Sequence, residues 1–303
     1  MNVVNWGQTI ADAVALGAIY GVVALGIGLV FGVLRLVNFA YGEVITFGGY
    51  TLYLVGTKYQ APAAAAIAAC IAACIAMSLL QELLAFRPLR RRGATTATML
   101  VATFAISFLL QAIYLLGFGS RGDIVGVLGQ LNTAVTIGST DIRWISIVEV
   151  AAGVALLLVT AALLGKTSIG LHIRAAAADF RTARILGVRA NGVIGASFVV
   201  SGILAAAVAI LYTVSNPLVT PDFGVQITIF ALIGVVVGGL ERLWTATLGG
   251  FVVGFVYGFF GDALSSAHSI YLPSVVYGLV ILVLLLRPVG LFAPFRPQQV
   301  ERV

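Results

Sequence analysis

Windows of about 20 consecutive, mostly apolar residues, the length a helix needs to cross a hydrocarbon core, follow one another along almost all of this 303-residue chain. Inside a bilayer every backbone N–H and C=O must find a partner within the protein, so only helices and closed barrels span it. No alternation of apolar and polar residues runs through these windows, which excludes a barrel. Hydrophobic residues reach 61% and charged residues only 9% of the chain, against about 45–50% and 25% in ordinary globular proteins. The expectation is a single all-α, polytopic membrane helical bundle spanning residues 1–303.

Apolar segments fall near residues 8–33, 39–56, 61–86, 95–118, 144–165, 193–214, 225–240, 243–262 and 271–286. The seventh and eighth are short and fit either two helices or one helix with a re-entrant piece. The pattern therefore predicts eight or nine transmembrane helices. Met1–Asn5 lacks a basic leader region and the first apolar segment is too long for a signal core, so no cleavable signal peptide is expected.

Lys and Arg set the orientation. One set of loops carries Arg35, Arg87, Arg90, Arg91, Arg92, Lys166, Arg174, Arg181, Arg184, Arg189, Arg242, Arg287, Arg296 and Arg302, and the other only Lys58, Arg121 and Arg143. The first set is expected in the cytoplasm. This asymmetry accounts for the net charge of +6, and no nucleic-acid partner is implied.

Several features that resemble chemistry do not carry it. Cys70 and Cys74 stand four apart within one segment, a spacing for packing rather than for a redox pair. His172 and His268 lie in loops without partner clusters. Gly165-Lys166-Thr167 looks like the end of a phosphate loop, but position 160 is Thr where that motif needs Gly. No nucleotide site, metal site, cofactor or catalytic constellation is expected. Among the acidic residues, Asp12, Glu43, Glu82 and Glu149 lie in or near apolar segments. Intramembrane carboxylates are functional candidates by default. Glu82 and Glu149, near segment ends, read better as side chains reaching the interface.

Glu43 has the more telling context, LRLVNFAYGEVITFGGY from Leu34 to Tyr50. Here an apolar run stops for Arg, Asn, Tyr-Gly and Glu and then resumes. One reading is a discontinuous helix near residues 35–43, with Asn38, Phe39, Tyr41, Gly42 and Glu43 lining a translocation pathway, since broken helices mark substrate sites in transporters. Another is a tight turn from Arg35 to Asn38, followed by a helix in which Glu43 favours the N-terminus. A turn that dips into the bilayer satisfies both.

The longest basic connection, residues 166–192, holds an Ala-rich stretch that predicts a helix over 173–186 with Gly187 as its stop. Ile173, Ala176, Ala177, Phe180 and Ala183 fall on one face. Small residues around one aromatic suit a docking element for a protein partner better than burial in lipid, for which an Ala face is thin.

Taken in order, GLVFGVLRLVNFAYGEVITFGGY, FRPLRRR, TFAISFLLQ, RAAAADFRTARILGVRANGVIGASFVVSGILAAAVAIL, VVVGGL, LGGFVVGF and LRPVGLF resemble LivH-type permeases of branched-chain amino acid ABC importers across nearly the whole chain. The resemblance implies an importer subunit, not itself an enzyme, in the bacterial inner membrane. It implies as partners a second homologous permease, two cytoplasmic ATPase subunits and a periplasmic substrate-binding protein. Arg174, Ala177, Asp179, Phe180 and Gly187 fall in the family's ATPase-coupling segment. Tyr41 replaces the His usual in NFAHG, and Glu241-Arg242-Leu243-Trp244 replaces a Gly-Ser-containing turn. Such departures leave room for urea, short amides or other amino acids as substrate. A secondary transporter or channel working alone is the rival class; it would call for relay carboxylates at mid-membrane, where only Glu43 is a candidate.

Overall fold

A computed structural model describes residues 6–137, 140–185, 187–239, 242–263, 271–287 and 290–292. Glu241 and His268, singled out above, lie outside the described residues. The helices are α1 (Trp6–Leu34), α2 (Tyr41–Leu52), α3 (Ala63–Gln81), α4 (Thr96–Phe118), α5 (Trp144–Lys166), α6 (Ser168–Ala178), α7 (Phe180–Ile185), α8 (Ala190–Ser215), α9 (Phe223–Gly238), α10 (Leu243–Ala263) and α11 (Leu272–Leu286). Every apolar segment of the sequence is helical. Among the described residues, six helices are long and apolar enough to cross a membrane, and α9 and α11 are shorter.

Two helices continue past their regular part. Wider turns extend α2 through Tyr53–Lys58, and the same kind of turn over Glu82–Phe86 carries α3 on to Arg91. The connection between α4 and α5 takes part in two short antiparallel pairings. In one, β1 (Asp123–Ile124) joins β4 (Leu218–Val219); in the other, β2 (Ala134–Ile137) joins β3 (Thr140–Arg143). They sit at the end of the bundle opposite the basic loops, where water can take their remaining backbone groups.

The bundle has a centre and a rim. In α1, 72% of the most apolar window is buried, and in α8 61%, whereas in α5 it is 17% and in α3 and α4 22%. Because all five are equally apolar all round, this difference reflects position rather than patterning. The rim helices turn Leu, Phe and Val outward as lipid-facing surface. Cys70 and Cys74 are buried and free, and Cys74 donates to the Val44 carbonyl at 3.4 Å, as expected of packing residues.

The expected helix over 173–186 is two helices. Asp179 takes an extended conformation (φ −150°, ψ 103°) that ends α6, and its carboxylate accepts from the Thr182 N–H at 3.2 Å to start α7. An Asp at a helix start satisfies an otherwise orphan donor, and that local bond overrides the helix propensity of the alanines around it. Gly187 does act as the stop. Its φ is +89°, and the Val188 N–H reaches the Ala183 carbonyl at 3.1 Å, closing the helix in the usual glycine-terminated way.

Candidate functional site

The interruption near residues 35–43 is a break between two helices, and it is folded into the protein. α1 ends at Leu34, Arg35 takes a left-handed backbone conformation (φ 52°), and α2 starts at Tyr41. Such a conformation strains a non-glycine residue. Asn38, Ala40, Tyr41 and Glu43 are all buried. Backbone freed from a helix must be re-satisfied away from water, and here side chains do so. Asn38 Oδ1 accepts from the Ala40 N–H at 3.0 Å, and Asn38 Nδ2 donates to Gln81 Oε1 at 3.4 Å. Gln81 Nε2 then donates to the Ala40 carbonyl at 3.0 Å. Gln81, from α3, is a member of the site that the sequence did not mark, since a lone Gln in an apolar run carries no motif.

The break lies deep. Tyr41 Oη donates to the Ser201 carbonyl at 3.2 Å, near the middle of the 26-residue α8. Its hydroxyl fills a notch above Gly26, where a Cβ would come within 2.2 Å of it. Glu43 Oε1 accepts from Ser107 Oγ at 2.7 Å and from Gln111 Nε2 at 3.0 Å, halfway along the 23-residue α4. Tyr114 Oη donates to the Glu43 carbonyl at 3.0 Å. Phe39 stacks on Phe104 with ring centroids 4.1 Å apart. A turn thus follows α1, and it returns to mid-bundle before α2 begins.

α9 begins beside the first turns of α2 and runs the opposite way. A Cβ on Gly42 would stand 2.7 Å from the Gly224 carbonyl oxygen, and one on Gly224 2.0 Å from the Gly42 oxygen. Only glycines allow this approach of two backbones. Thr46 Oγ1 completes the crossing by accepting from the Gly224 N–H at 2.9 Å. Three buried oxygens around these elements have no hydrogen-bond partner: Glu43 Oε2, Tyr50 Oη and Thr228 Oγ1. Leaving such groups unpaired costs free energy.

The other acidic residues divide. Glu82 is buried and ion-paired with Arg90 at 2.7 Å, holding the end of α3. Glu149 is also buried, and Ser215 donates to it. It lines a polar cavity of about 170 Å³ at the end opposite the basic loops, together with Asp12, Arg143, Tyr212 and Asp262. Asp12 pairs there with Arg143 at 3.0 Å and accepts from Ser146 at 2.7 Å.

At the basic end, α6 and α7 do not present the face expected from spacing. Ile173, Ala176 and Ala183 are turned inward, and Ile173 and Ala176 pack among residues such as Val33, Val193 and Ile194. An otherwise thin apolar face is buried because the bundle has a hollow to receive it. Ala177 is half-buried, while Arg174, Asp179 and Gly187 are exposed, and the side chain of Phe180 lies outside what the structure describes. Among the described side chains of this segment, Ile169, Leu171 and Ile185 are the exposed large apolar ones; spacing alone does not single them out, because only the fold shows which face is taken. Arg35 Nη2 donates to the Ala177 carbonyl at 2.8 Å, joining the helix break directly to α6.

The family of branched-chain amino acid transport system permease components matches residues 9–285. The chain belongs to that family. It is 29% identical to the high-affinity branched-chain amino acid transport system permease protein BraD of Pseudomonas aeruginosa, over 100% of this chain and 99% of that protein. It is also 30% identical to LivH of Salmonella typhimurium and 29% identical to LivH of Escherichia coli K12, over 98% of this chain and 97% of each relative. The permease is thus a multi-pass membrane transport subunit.

Proposed function

We propose that this permease carries branched-chain amino acids through the bacterial inner membrane as the translocation subunit of an ATP-driven importer. It works with a second homologous permease and two cytoplasmic ATPase subunits, and a periplasmic binding protein delivers the substrate. The basic loops face the cytoplasm. The reading is carried by one observation, the bond from Arg35 to the Ala177 carbonyl, because it ties the element that meets an ATPase to the element that meets substrate.

Asn38, Phe39, Tyr41, Gly42 and Glu43 form the substrate passage. An amino acid brings an ammonium and a carboxylate into a low-dielectric interior, and each needs a counterpart there. Glu43 Oε2, buried and unpartnered, suits the ammonium. The adjoining N-terminal turns of α2 and α9 suit the carboxylate, since helix N-termini carry partial positive charge. The Gly42–Gly224 crossing closes the passage in this conformation, and substrate moves when α2 and α9 part. ATPase closure supplies that motion by displacing α6 and α7 through Arg174, Ala177, Asp179, Phe180 and Gly187. Arg35 passes it to the turn that holds Asn38 and Tyr41.

The test is uptake into vesicles holding the assembled importer, comparing leucine with urea. Leucine uptake is expected to require ATP and to fall by about 10–100-fold in Glu43→Gln, the equivalent of one lost charge-assisted hydrogen bond of about 1.5–3 kcal/mol. Binding-protein affinity stays unchanged, because delivery is a separate step. ATP-independent uptake by this chain alone would overturn the importer reading, and preference for urea would overturn the substrate.

A further inference from the structure

Beside the polar break, and on a different face of α1, a cavity of about 330 Å³ opens at the basic end. Its walls come from α1, α5, α6, α9 and α10, and its inner lining is aliphatic, with Leu25, Leu29 and Leu157 at the deep end. Arg35 and Arg174 stand at the mouth, with Trp244 on the wall. From Arg35 to Leu25 is about 15 Å along a helix at 1.5 Å per residue. That is half of a hydrocarbon core of about 30 Å, the depth of one leaflet.

The polar mouth is underused. Arg35 spends one donor on Ala177 and Arg174 one on the Gly165 carbonyl at 3.4 Å. Neither is among the ion pairs of the described residues. A guanidinium has five N–H donors, so both keep most of theirs free. α1 lines the cavity with Gly28 and Gly32, one turn apart; Leu243 covers Gly28, since a Cβ there would stand 2.9 Å from Leu243 Cδ1, and Gly32 is the open one. A Cβ on Gly32 would meet nothing closer than the Ala177 Cβ at 3.9 Å, so this glycine leaves open space rather than permitting a tight contact.

We propose that this cavity is a binding site for an anionic phospholipid of the basic-side leaflet, its headgroup held by Arg35 and Arg174 and one acyl chain lying over Gly32. Free cations at headgroup level above an apolar slot one leaflet deep match that ligand in charge and shape. An aromatic wall at the same level fits the interface. Ile173 and Ala177 of α6 also line the cavity, so the bound lipid braces α6 against the bundle. The proposal does not depend on the identity of the transported substrate.

Trp244 serves as the reporter. With Trp6→Phe and Trp144→Phe it becomes the only tryptophan of the full chain, which has three. The probe is quenching of its fluorescence in vesicles containing phospholipid brominated in the acyl chains, with either a phosphatidylglycerol or a phosphatidylcholine headgroup. The expected result is an apparent affinity about tenfold higher for the glycerol lipid. Gly32→Leu, which fills the slot, should abolish the tight component, and Arg35→Gln should reduce the headgroup preference while leaving quenching by chain contact. Equal quenching by both lipids overturns the proposal, as does tight quenching that survives Gly32→Leu. Displacement of the glycerol lipid by free leucine would overturn it in favour of an amino acid site.

Discussion

The helix break and the α6–α7 segment are both polar interruptions of an apolar chain, yet they are built in opposite ways. At the break, Asn38, Gln81 and Ala40 close a ring of hydrogen bonds, and Tyr41, Glu43 and Tyr114 reach partners on two further helices. In the α6–α7 segment the internal ties are local, such as the Asp179 cap on Thr182, and most polar side chains face outward. A buried break must satisfy its own backbone; an exposed one can leave that to water and keep its surface for a partner. The difference teaches where substitutions should act: on folding and passage at the first region, on association at the second.

The largest effect that could break this comparison is at Gly42. Gly42→Leu forces a side chain onto the Gly224 carbonyl, a backbone atom that cannot swing away. Overpacking typically costs about 1–3 kcal/mol, and here the cost should lie at or above the top of that range. Thermal unfolding of the purified permease in detergent reads it, with Ala178→Leu on exposed α6 as the control at wild-type stability. Equal melting of the two variants would mean the crossing is looser than drawn.

Next comes Asn38. Asn38→Leu leaves the Ala40 N–H and Gln81 Oε1 without partners, at about 1–3 kcal/mol for each orphaned buried group. Gln81→Leu should cost a similar amount, and the double variant less than the sum, because the two share one network. Strict additivity in unfolding would show that Asn38 and Gln81 do not act together.

How much of this was legible in the sequence differs between the two regions as well. The helices were readable to within a few residues, because bilayer-length apolar runs leave a chain few options. The break was readable as polar residues where none are affordable, and Asn38, Tyr41 and Glu43 came from that signal alone. Gln81, Ser107 and Gln111 were not, since each is a single polar residue whose meaning depends on which helix packs opposite. The face of α6 was misread because the spacing that marks an apolar stripe does not say whether the stripe meets a partner or the chain's own core. Asp179 was legible as a charge but not as a helix breaker, a role that needed the backbone bond to Thr182.

Association sharpens the comparison at smaller cost to the fold. Leu171 is exposed on α6, so Leu171→Arg should leave unfolding unchanged while weakening ATPase association. An apolar interface anchor of this kind can be worth about 2 kcal/mol, or roughly a thirtyfold loss of affinity. Co-purification of the ATPase with the permease measures it. Undiminished co-purification, together with a lowered melting point, would place Leu171 in the fold and move the docking surface toward Ile185.

The smallest expected effect is at the bond from Arg35 to the Ala177 carbonyl, which joins the two regions. Arg35→Gln removes the donation to the Ala177 carbonyl, which is exposed, so the stability change should stay within about 0.5–1.5 kcal/mol. ATPase binding should persist, because α6 and α7 keep their caps and their exposed face. What should change is the ratio of substrate moved to ATP hydrolysed: hydrolysis continues while uptake falls, since displacement of α6 no longer draws the turn that carries Asn38 and Tyr41. Arg35→Lys keeps a charge but moves its donors, and should recover part of the ratio. The left-handed conformation at Arg35 sharpens the point further, for Arg35→Gly relaxes the strained backbone and removes the bond at once. Greater stability with uncoupled hydrolysis in Arg35→Gly would separate the two roles of this residue. Coupled uptake in Arg35→Gln would show that the regions communicate through helix packing alone.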